Sequence, residues 1–552
     1  MTIVENATFI IVMLAYVAFC GKRLLTYMHV LQQEDYDNKR LFKWMKTNKA
    51  FDKRVSMSLM GVFALIMVLY AIGHREDMPQ FILYFVIFIT FVLGAYLEKD
   101  PRKSTKKRLV STPRAKRIFI PAFIVSILLF LPYHSGILPL ALILNIQALP
   151  FILMLVKLAL QPFEDIIQAG YWREAQEKIT DYRPQIIGIT GSYGKTSVKH
   201  ILGHVLSTQA PTLMTPGSVN TPMGITRVIR EQLEPNHQYL VVEMGAYGPG
   251  SIERLCKLAP PNYGIITSIG HAHYERFKSL DTVAKAKFEL AEAVIAKGGK
   301  TIIHERTLRF AHARALKTTY PDSFIVCGDI PNPNPHNDKD ISYIQPEDLQ
   351  IEKIEQKPSG LAITLRYKNI VYSPEIPIYG THHAHNIALV FALCVEMGIS
   401  TDAIQDALAT LPQIAHRLEV IRQPDGSIMI DDAYNSNPIG FQSALNLLGT
   451  LKDSYRKILI TPGMVELGLA HDEAHKKIGE AAGSICDICL VVQPARIPSF
   501  LAGFKESGSG KTLMEFDSFQ EAQNWYVRNK TNKDIVLIEN DLPDMYEKLP
   551  KM

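Results

Sequence analysis

Cysteine is scarce in this chain, with six scattered residues in 552, so no disulfide framework is available and a reducing compartment is implied. The one close pair, Cys486 and Cys489, has no second pair nearby and precedes the apolar run Leu490, Val491, Val492. Core cysteines at the start of a strand are therefore favoured over a metal or redox site. A dominant charge is also lacking: 59 basic and 54 acidic residues leave a net charge of +5, which gives no footprint for nucleic acid. The first apolar stretch has no basic leader and no clear small-residue cleavage site, so it reads as a retained span rather than a signal peptide. Within the apolar stretches no charge cluster stands out: Glu5 lies at the first boundary, and Asn145 and Gln147 are the main interior polar groups. That argues against a transporter.

Long apolar runs, by contrast, are abundant near the start. Residues 7–20, 57–72, 81–97, 118–132 and 137–158 approach the length of a membrane span, which predicts five transmembrane helices in a region 1–160. A re-entrant or interfacial hairpin is the alternative for 118–132. The segments 21–56 and 98–117 are basic (Lys22, Arg23, Lys39, Arg40, Lys43 and Lys46; Lys103, Lys106, Lys107, Arg108, Arg114, Lys116 and Arg117), whereas 74–80 and 133–136 are short and carry little charge. Keeping basic loops inside places the N-terminus outside and the rest of the chain in the cytoplasm. Helical spacing over 161–180 predicts an amphipathic connector.

The most specific signal is Gly188-Ile189-Thr190-Gly191-Ser192-Tyr193-Gly194-Lys195-Thr196, which closes an apolar strand (185–190) and opens a helix. Glycines admit backbone N–H groups to a phosphate, a helix N-terminus adds positive potential, Lys195 reaches terminal phosphates and Thr196 can offer its hydroxyl to Mg²⁺. The early glycine lies one residue further back than in GxxxxGK[ST], so a Gly-rich turn is the competing reading. Strand-like runs at 239–244, 263–269 and 301–303 alternate with helices such as 280–296, predicting a mainly parallel sheet in a domain 181–411. Glu243 and His273 follow strand ends and would share an edge with Lys195 and Thr196, where ligands of such sheets gather. Taken singly, each is as well explained as a solvated terminus or a hydrogen-bonded structural histidine. Strands at 427–431, 457–461, 488–493 and 534–539 predict a smaller, doubly wound domain over 412–552, and Pro331 to Gln350 reads as a surface loop.

These motifs, with Asn220-Thr221-Pro222-Met223-Gly224, Glu243-Met244-Gly245-Ala246, Ser268-Ile269-Gly270-His271-Ala272-His273 and Ala284-Lys285-Ala286-Lys287, resemble the ordered motifs of Mur ligases. Gly380-Thr381-His382-His383-Ala384-His385-Asn386 resembles the family's adenine-side pattern, and His416-Arg417-Leu418 the start of its C-terminal domain. Asp431 to Pro438, Gly463 to Gly468 and His475 resemble the branch that adds D-alanyl-D-alanine to a UDP-muramoyl tripeptide. The implied fold is α/β: N-terminal transmembrane helices, a Mur-type P-loop ATPase domain and a C-terminal dinucleotide-fold-like α/β domain.

The resemblance implies an ATP-dependent, ADP-forming acid–amino-acid ligase working through an acyl phosphate in peptidoglycan precursor synthesis. Gly191, Ser192, Tyr193, Gly194, Lys195, Thr196 and Ser197 would bind ATP. Thr196 and Glu243 would hold one Mg²⁺, and His273 with a carbamylated Lys287 a second. Asn386 would meet the adenine, Asp432 the ribose, and Arg417 would stabilise the nucleotide on domain closure. Asn220, Thr221, Tyr434, Asn435 and Asn437 are weaker substrate candidates. The implied partners are ATP, a carboxylated wall-type precursor, an amine-bearing amino acid or dipeptide and the lipid bilayer, with no nucleic acid. The implied location is a bacterial-type cytoplasmic membrane with the catalytic domains in the cytoplasm.

Two features depart from the family. The UDP-sugar-gripping domain is replaced by apolar helices, and Ile538-Glu539-Asn540-Asp541-Leu542-Pro543 stands where the branch ends a strand in Lys-Gly-Ser-Arg. A Mur-type ligase acting on another or lipid-linked carboxylate, as in polyglutamate-type synthetases, is the alternative. An ATP-driven transporter or nucleotide-sensing membrane module is a third reading.

Overall fold

The computed structural model describes residues 3–72, 80–102, 109–129, 138–270, 277, 279–329, 348–433, 436–451, 454–465 and 467–540. His273, Tyr434, Asn435, residues 103–108 of the basic segment and most of the expected 331–350 loop lie outside them. The chain divides into two units, one built on residues up to Gln168 and the other on Ala169–Asp541.

The second unit carries two sheets. In the first, β1 (Gln185–Thr190), β2 (Thr212–Met214), β3 (Tyr239–Glu243), β4 (Tyr263–Ile266), β5 (Lys300–His304), β6 (Phe324–Asp329) and β7 (Leu349–Lys357) run parallel. An antiparallel wing follows, formed by β8 (Gly360–Tyr367), β9 (Ile370–Tyr372) and β10 (Glu375–Ile376). The order is β10-β8-β7-β6-β5-β4-β1-β3-β2, with β9 on β8. The inner strands are buried along nearly their whole length because helices cover both faces, hence their continuous Ile and Val content. In the wing, β8 instead alternates buried and half-buried positions, the period of an antiparallel strand with one face toward the core.

Register fixes the site. Gly188 of β1 pairs with Val242 of β3 and Gly264 of β4, and Ile189 pairs with Glu243. The strands therefore end together, and Thr190, Glu243 and Ile266 share one edge, at the point where the strand order reverses around β1.

The second sheet orders β11 (Glu419–Arg422), β12 (Ile428–Asp432), β16 (Asp534–Glu539), β13 (Arg456–Thr461), β14 (Ile488–Val492) and β15 (Thr512–Phe516), with only β11 antiparallel. Its switch point lies between β13 and β16, and the Asn540 amide bridges it by donating to Gly463 O at 2.6 Å. Cys486 and Cys489 are buried and free, part of this core rather than a metal pair.

The first unit is helical: Ile3–Gln33, Asn38–Asn48, Arg54–Ala71, Gln80–Leu97, Pro113–Leu128 and the beginning of Leu138–Tyr182. Among the described residues, three helices rather than the expected five are long and apolar enough to cross a membrane, with Ile82–Leu97 shorter. The 161–180 segment is helical and belongs to the single helix Leu138–Tyr182. The interior of this unit also holds charge that the sequence pattern concealed. Arg23, 1% exposed, donates to Glu98 Oε1 at 3.2 Å, and the Thr26 hydroxyl donates to the same oxygen at 2.8 Å. Arg23 and Glu98 flank apolar runs 75 residues apart, so only folding reveals the pair.

Candidate active site

The loop after β1 is wired to the end of β4. Ser192 N donates to Ser268 O at 2.7 Å, Tyr193 N to Ser268 Oγ at 3.1 Å, and Gly270 N to Ser192 Oγ at 2.9 Å. Two positions demand glycine. A Cβ at Gly191 would lie 1.8 Å from Thr267 Oγ1, and Gly194, at φ 83°, would put one 2.7 Å from Asn386 Oδ1. Thr267, unnoticed in the sequence, thus braces the loop, and its hydroxyl donates to Tyr193 O at 2.5 Å. Gly194 ends the loop and caps the helix Lys195–Ser207, whose first turn carries Thr196 and the buried Ser197. The Lys195 ammonium folds over the loop onto Gly191 O at 2.8 Å.

Glu243, at the end of β3, is 1% exposed and saturated with donors. Thr196 Oγ1 donates to its Oε2 at 3.0 Å, Lys199 Nζ to the same oxygen at 3.1 Å, and Asn220 Nδ2 to Oε1 at 3.1 Å. Asn220 is oriented in turn by Tyr247, whose hydroxyl donates to Oδ1 at 3.0 Å. Lys199 escaped the sequence reading. Its signal is the four-residue spacing from Lys195, one helical turn along the same face.

Lys287 sits mid-helix in Leu280–Ile295, buried, with no hydrogen bond or ion pair among the described residues. Burial, reinforced by the neighbouring charge of Lys195, pushes its amine well below the usual lysine range. Lys195 is lowered as well, first by burial and then by Arg417, against the pull of Glu243. Asn386, in the first turn of His383–Glu396, stands against Gly194.

Arg417 lies between two residues with left-handed backbone, His416 (φ 57°) and Leu418 (φ 56°). Its charge reaches Lys195 in one domain and Asp432 in the other. Asp432 and Glu539 are register partners at the ends of β12 and β16, both buried. Burial and Asp431 raise Asp432 to about 6, against Arg417 and the Leu418 N–H. Burial, then the Asp432 charge, raises Glu539 well above the carboxylate range, while the Ser436 hydroxyl donates to it at 2.5 Å. Thr221 and Asn437 are engaged in helix capping: Thr221 Oγ1 accepts from Gly224 N at 3.4 Å and Asn437 Oδ1 from Gly440 N at 3.1 Å. His475 is buried and accepts from Met464 N at 2.9 Å, ordering the turn after β13.

A phosphate loop, a buried carboxylate against its threonine, and an arginine from a second domain lie within the two segments that match family profiles. The profile of the Mur ligase middle domain matches residues 189–394 and that of the Mur ligase glutamate ligase domain residues 416–539. The chain belongs to the Mur ligases. It is 29% identical over 306 residues to the UDP-N-acetylmuramoyl-tripeptide–D-alanyl-D-alanine ligase of Bacillus subtilis, covering 55% of this chain and 62% of that one. To the Escherichia coli enzyme of the same name it is 28% identical over 334 residues, covering 60% and 69%. The chain thus spans less than two thirds of the B. subtilis relative. Among solved structures, MurF from Acinetobacter baumannii superposes with a TM-score of 0.57 at 24% identity, over 69% of this chain and 78% of that one. MurF from Thermotoga maritima, in complex with ADP, gives 0.55 at 22% identity, over 68% and 80%. These two establish the fold: Mur ligase α/β, with mixed sheets.

The multi-pass membrane location expected from the sequence is corrected by the likeness to soluble cytoplasmic ligases, and nothing in that likeness supports the bilayer as a partner. Apolar helices and basic loops carried that expectation, and as noted the helices include a buried ion pair. Mur ligases use ATP and Mg²⁺. The residues present suit Mg²⁺, because Thr196 and Glu243 offer a hydroxyl and a carboxylate oxygen 3.0 Å apart, the hard donors this ion prefers.

Proposed function

We propose that this chain is an ATP-dependent, ADP-forming carboxylate–amine ligase of peptidoglycan precursor synthesis, joining D-alanyl-D-alanine to a UDP-muramoyl tripeptide as its relatives' names describe. One observation carries the reading: Lys195, the Thr196–Glu243 pair and the buried amine of Lys287 converge on the edge where β1 and β3 end.

In this reading a substrate carboxylate oxygen attacks the γ-phosphorus, the bond to the β–γ bridging oxygen breaks, and ADP leaves. The amine nitrogen then attacks the acyl carbon, the C–N bond forms, phosphate departs, and the amine's proton is lost to solvent. Two anions must meet, so positive groups have to oppose their repulsion as charge develops. Lys195 leaves its loop carbonyl for the β and γ oxygens. Thr196 and Glu243 would hold Mg²⁺, which would supply positive charge against the phosphates. Lys287 suits carbamylation, since CO₂ adds only to a neutral amine and its burial favours that form. The carbamate would supply, with His273, an anionic ligand for a second Mg²⁺. Gly191 to Ser197 line the phosphates, Asn386 meets the adenine, Asp432 the ribose, and Arg417 closes over the nucleotide and helps exclude water from the acyl phosphate. Asn220 orients Glu243, while Thr221, Tyr434, Asn435 and Asn437 flank the substrate side.

The test is ADP release by the full-length protein with Mg²⁺, UDP-muramoyl tripeptide and D-alanyl-D-alanine, with the product weighed by mass spectrometry. Joined pentapeptide, formed only with both substrates, supports the reading. ATP binding without product sinks this substrate pair. A second reading, the same chemistry on another carboxylate or amine, is favoured by one feature: the buried acid Glu539 ends β16 where the D-alanyl-D-alanine-adding branch has a lysine.

A further inference from the structure

Beside the phosphate loop, three side chains converge for which the ligase chemistry has no use. His304 ends β5, Asp329 ends the adjacent β6, and His385 lies in the first turn of the helix His383–Glu396. One ligand atom from each lies within 4.8 Å of the other two. His385 Nε2 already straddles the Asp329 carboxylate, at 2.9 Å and 3.1 Å from its two oxygens, and the rings of His304 and His385 are 4.8 Å apart.

A fourth group supplies an independent pointer. Glu305, next in the chain to His304, has a buried Oε2 with no hydrogen-bond partner. Its carboxyl packs where a Cβ on Gly328 would lie, 2.4 Å from that oxygen, so Gly328 is what lets the acid approach Asp329. A buried carboxylate oxygen without a donor is costly unless a cation faces it. Arg306 does not fill the role, since its guanidinium is mostly exposed and reaches Asp329 Oδ2 from outside, at 3.1 Å.

We propose that His304, Asp329 and His385 form a binding site for a divalent transition metal of the zinc class, separate from the Mg²⁺ at the phosphates, with the unpartnered Glu305 carboxyl beside it. Two imidazoles and a carboxylate suit zinc or cobalt far better than magnesium, which prefers oxygen and water. Tetrahedral bonds of about 2.0–2.2 Å place ligand atoms about 3.3–3.5 Å apart, so the present spacing needs only small side-chain adjustments. Binding would replace the hydrogen bonds between His385 Nε2 and the Asp329 carboxylate, at 2.9 Å and 3.1 Å, and the weaker one from Arg306 N to His304 Nδ1, at 3.2 Å. The metal would clip β5, β6 and the helix start together. Because Asn386 directly follows His385 and touches the loop at Gly194, the clip would fix the adenine-side wall of the nucleotide site.

The test is Co²⁺ titration of chelator-treated full-length protein, followed by visible absorption. One cobalt per chain with the intense bands of four- or five-coordination, displaced by one equivalent of Zn²⁺, is expected. His385→Ala and Asp329→Asn are expected to weaken binding at least about 100-fold while Glu243→Gln leaves it intact. The same bands persisting in His385→Ala, or only the weak six-coordinate spectrum in the unsubstituted protein, would overturn the site. Should His385→Ala fail to fold, Asp329→Asn decides: Zn²⁺ raises the melting temperature of the unsubstituted protein and leaves that of the variant unmoved, whereas an equal rise in both refutes the proposal.

Discussion

Lys199 Nζ lies 3.1 Å from Glu243 Oε2, and neither side chain reaches solvent: they are 0% and 1% exposed. The pair sits beneath the phosphate loop, so the carboxylate assigned to Mg²⁺ is already held by a fixed internal cation. Removing one partner from such a pair strands a charge in low dielectric, at a cost of about 3–5 kcal/mol. Lys199→Met is therefore expected to destabilise by about that amount in urea unfolding. Lys199→Met combined with Glu243→Gln should recover more than half of the loss, because no charge is then stranded. Additive losses would show that the two side chains do not act as a pair.

The amine of Lys287 titrates well below the usual lysine range because it is buried beside Lys195. Between its folded value and the unfolded one the unfolded chain binds the extra proton, so this residue costs stability at neutral pH and the cost fades as pH rises toward the unfolded value. Lys287→Met should raise stability at pH 7 and lose that advantage in alkali, while abolishing turnover. In the unsubstituted protein, ¹³C-bicarbonate should give a carbamate resonance that Lys287→Met lacks. Its absence from both would exclude the carbamate.

Local pattern made much of this site legible. β1 and β16 fall where continuous apolar runs place them, Gln185–Thr190 and Asp534–Glu539, since a strand buried on both faces needs no partner to be recognised. The loop glycines were legible too, because phosphate cradles tolerate few other residues. What escaped were relationships between distant segments. Thr267 matters only because Gly191 packs on it, Lys199 because Glu243 faces it, and the His304, Asp329 and His385 group because β5, β6 and a helix 56 residues beyond Asp329 meet. The apolar N-terminal runs misled for a related reason. Hydropathy averages over a window, so Arg23 and Glu98, each at the end of an apolar stretch, look like loop charges until the helices pack them together.

The acid pair Asp432 and Glu539 sets a pH dependence of opposite sign to that of Lys287. Asp432 is raised to about 6 when folded, chiefly by burial, so between the unfolded carboxylate value and 6 the folded chain holds the extra proton. Stability from this pair is complete in acid and falls as pH rises through that window. Asp432→Asn should flatten the slope and stabilise the protein at pH 7 by on the order of 3 kcal/mol. Glu539→Gln should do the same without altering the ribose-side oxygen atoms. Chemical denaturation from pH 4 to pH 8 reads both, and a slope unchanged in either variant would assign it to other groups.

Gly194 joins two demands at one backbone position. Its φ of 83° is a region that a side chain disfavours by about 1–2 kcal/mol, and a Cβ there would lie 2.7 Å from Asn386 Oδ1. Gly194→Ala should therefore lose stability by at least that strain and also push Asn386 away from the loop. Because the loop and Asn386 are proposed to grip opposite ends of ATP, the substitution should weaken nucleotide binding more than a purely phosphate-side change such as Lys195→Met. Calorimetry with ATP and with inorganic triphosphate separates the two. Gly194→Ala is expected to impair ATP binding more than triphosphate binding, and Lys195→Met to impair both alike. Equal losses for both ligands in Gly194→Ala would detach Asn386 from the adenine and leave the glycine a role in loop conformation alone.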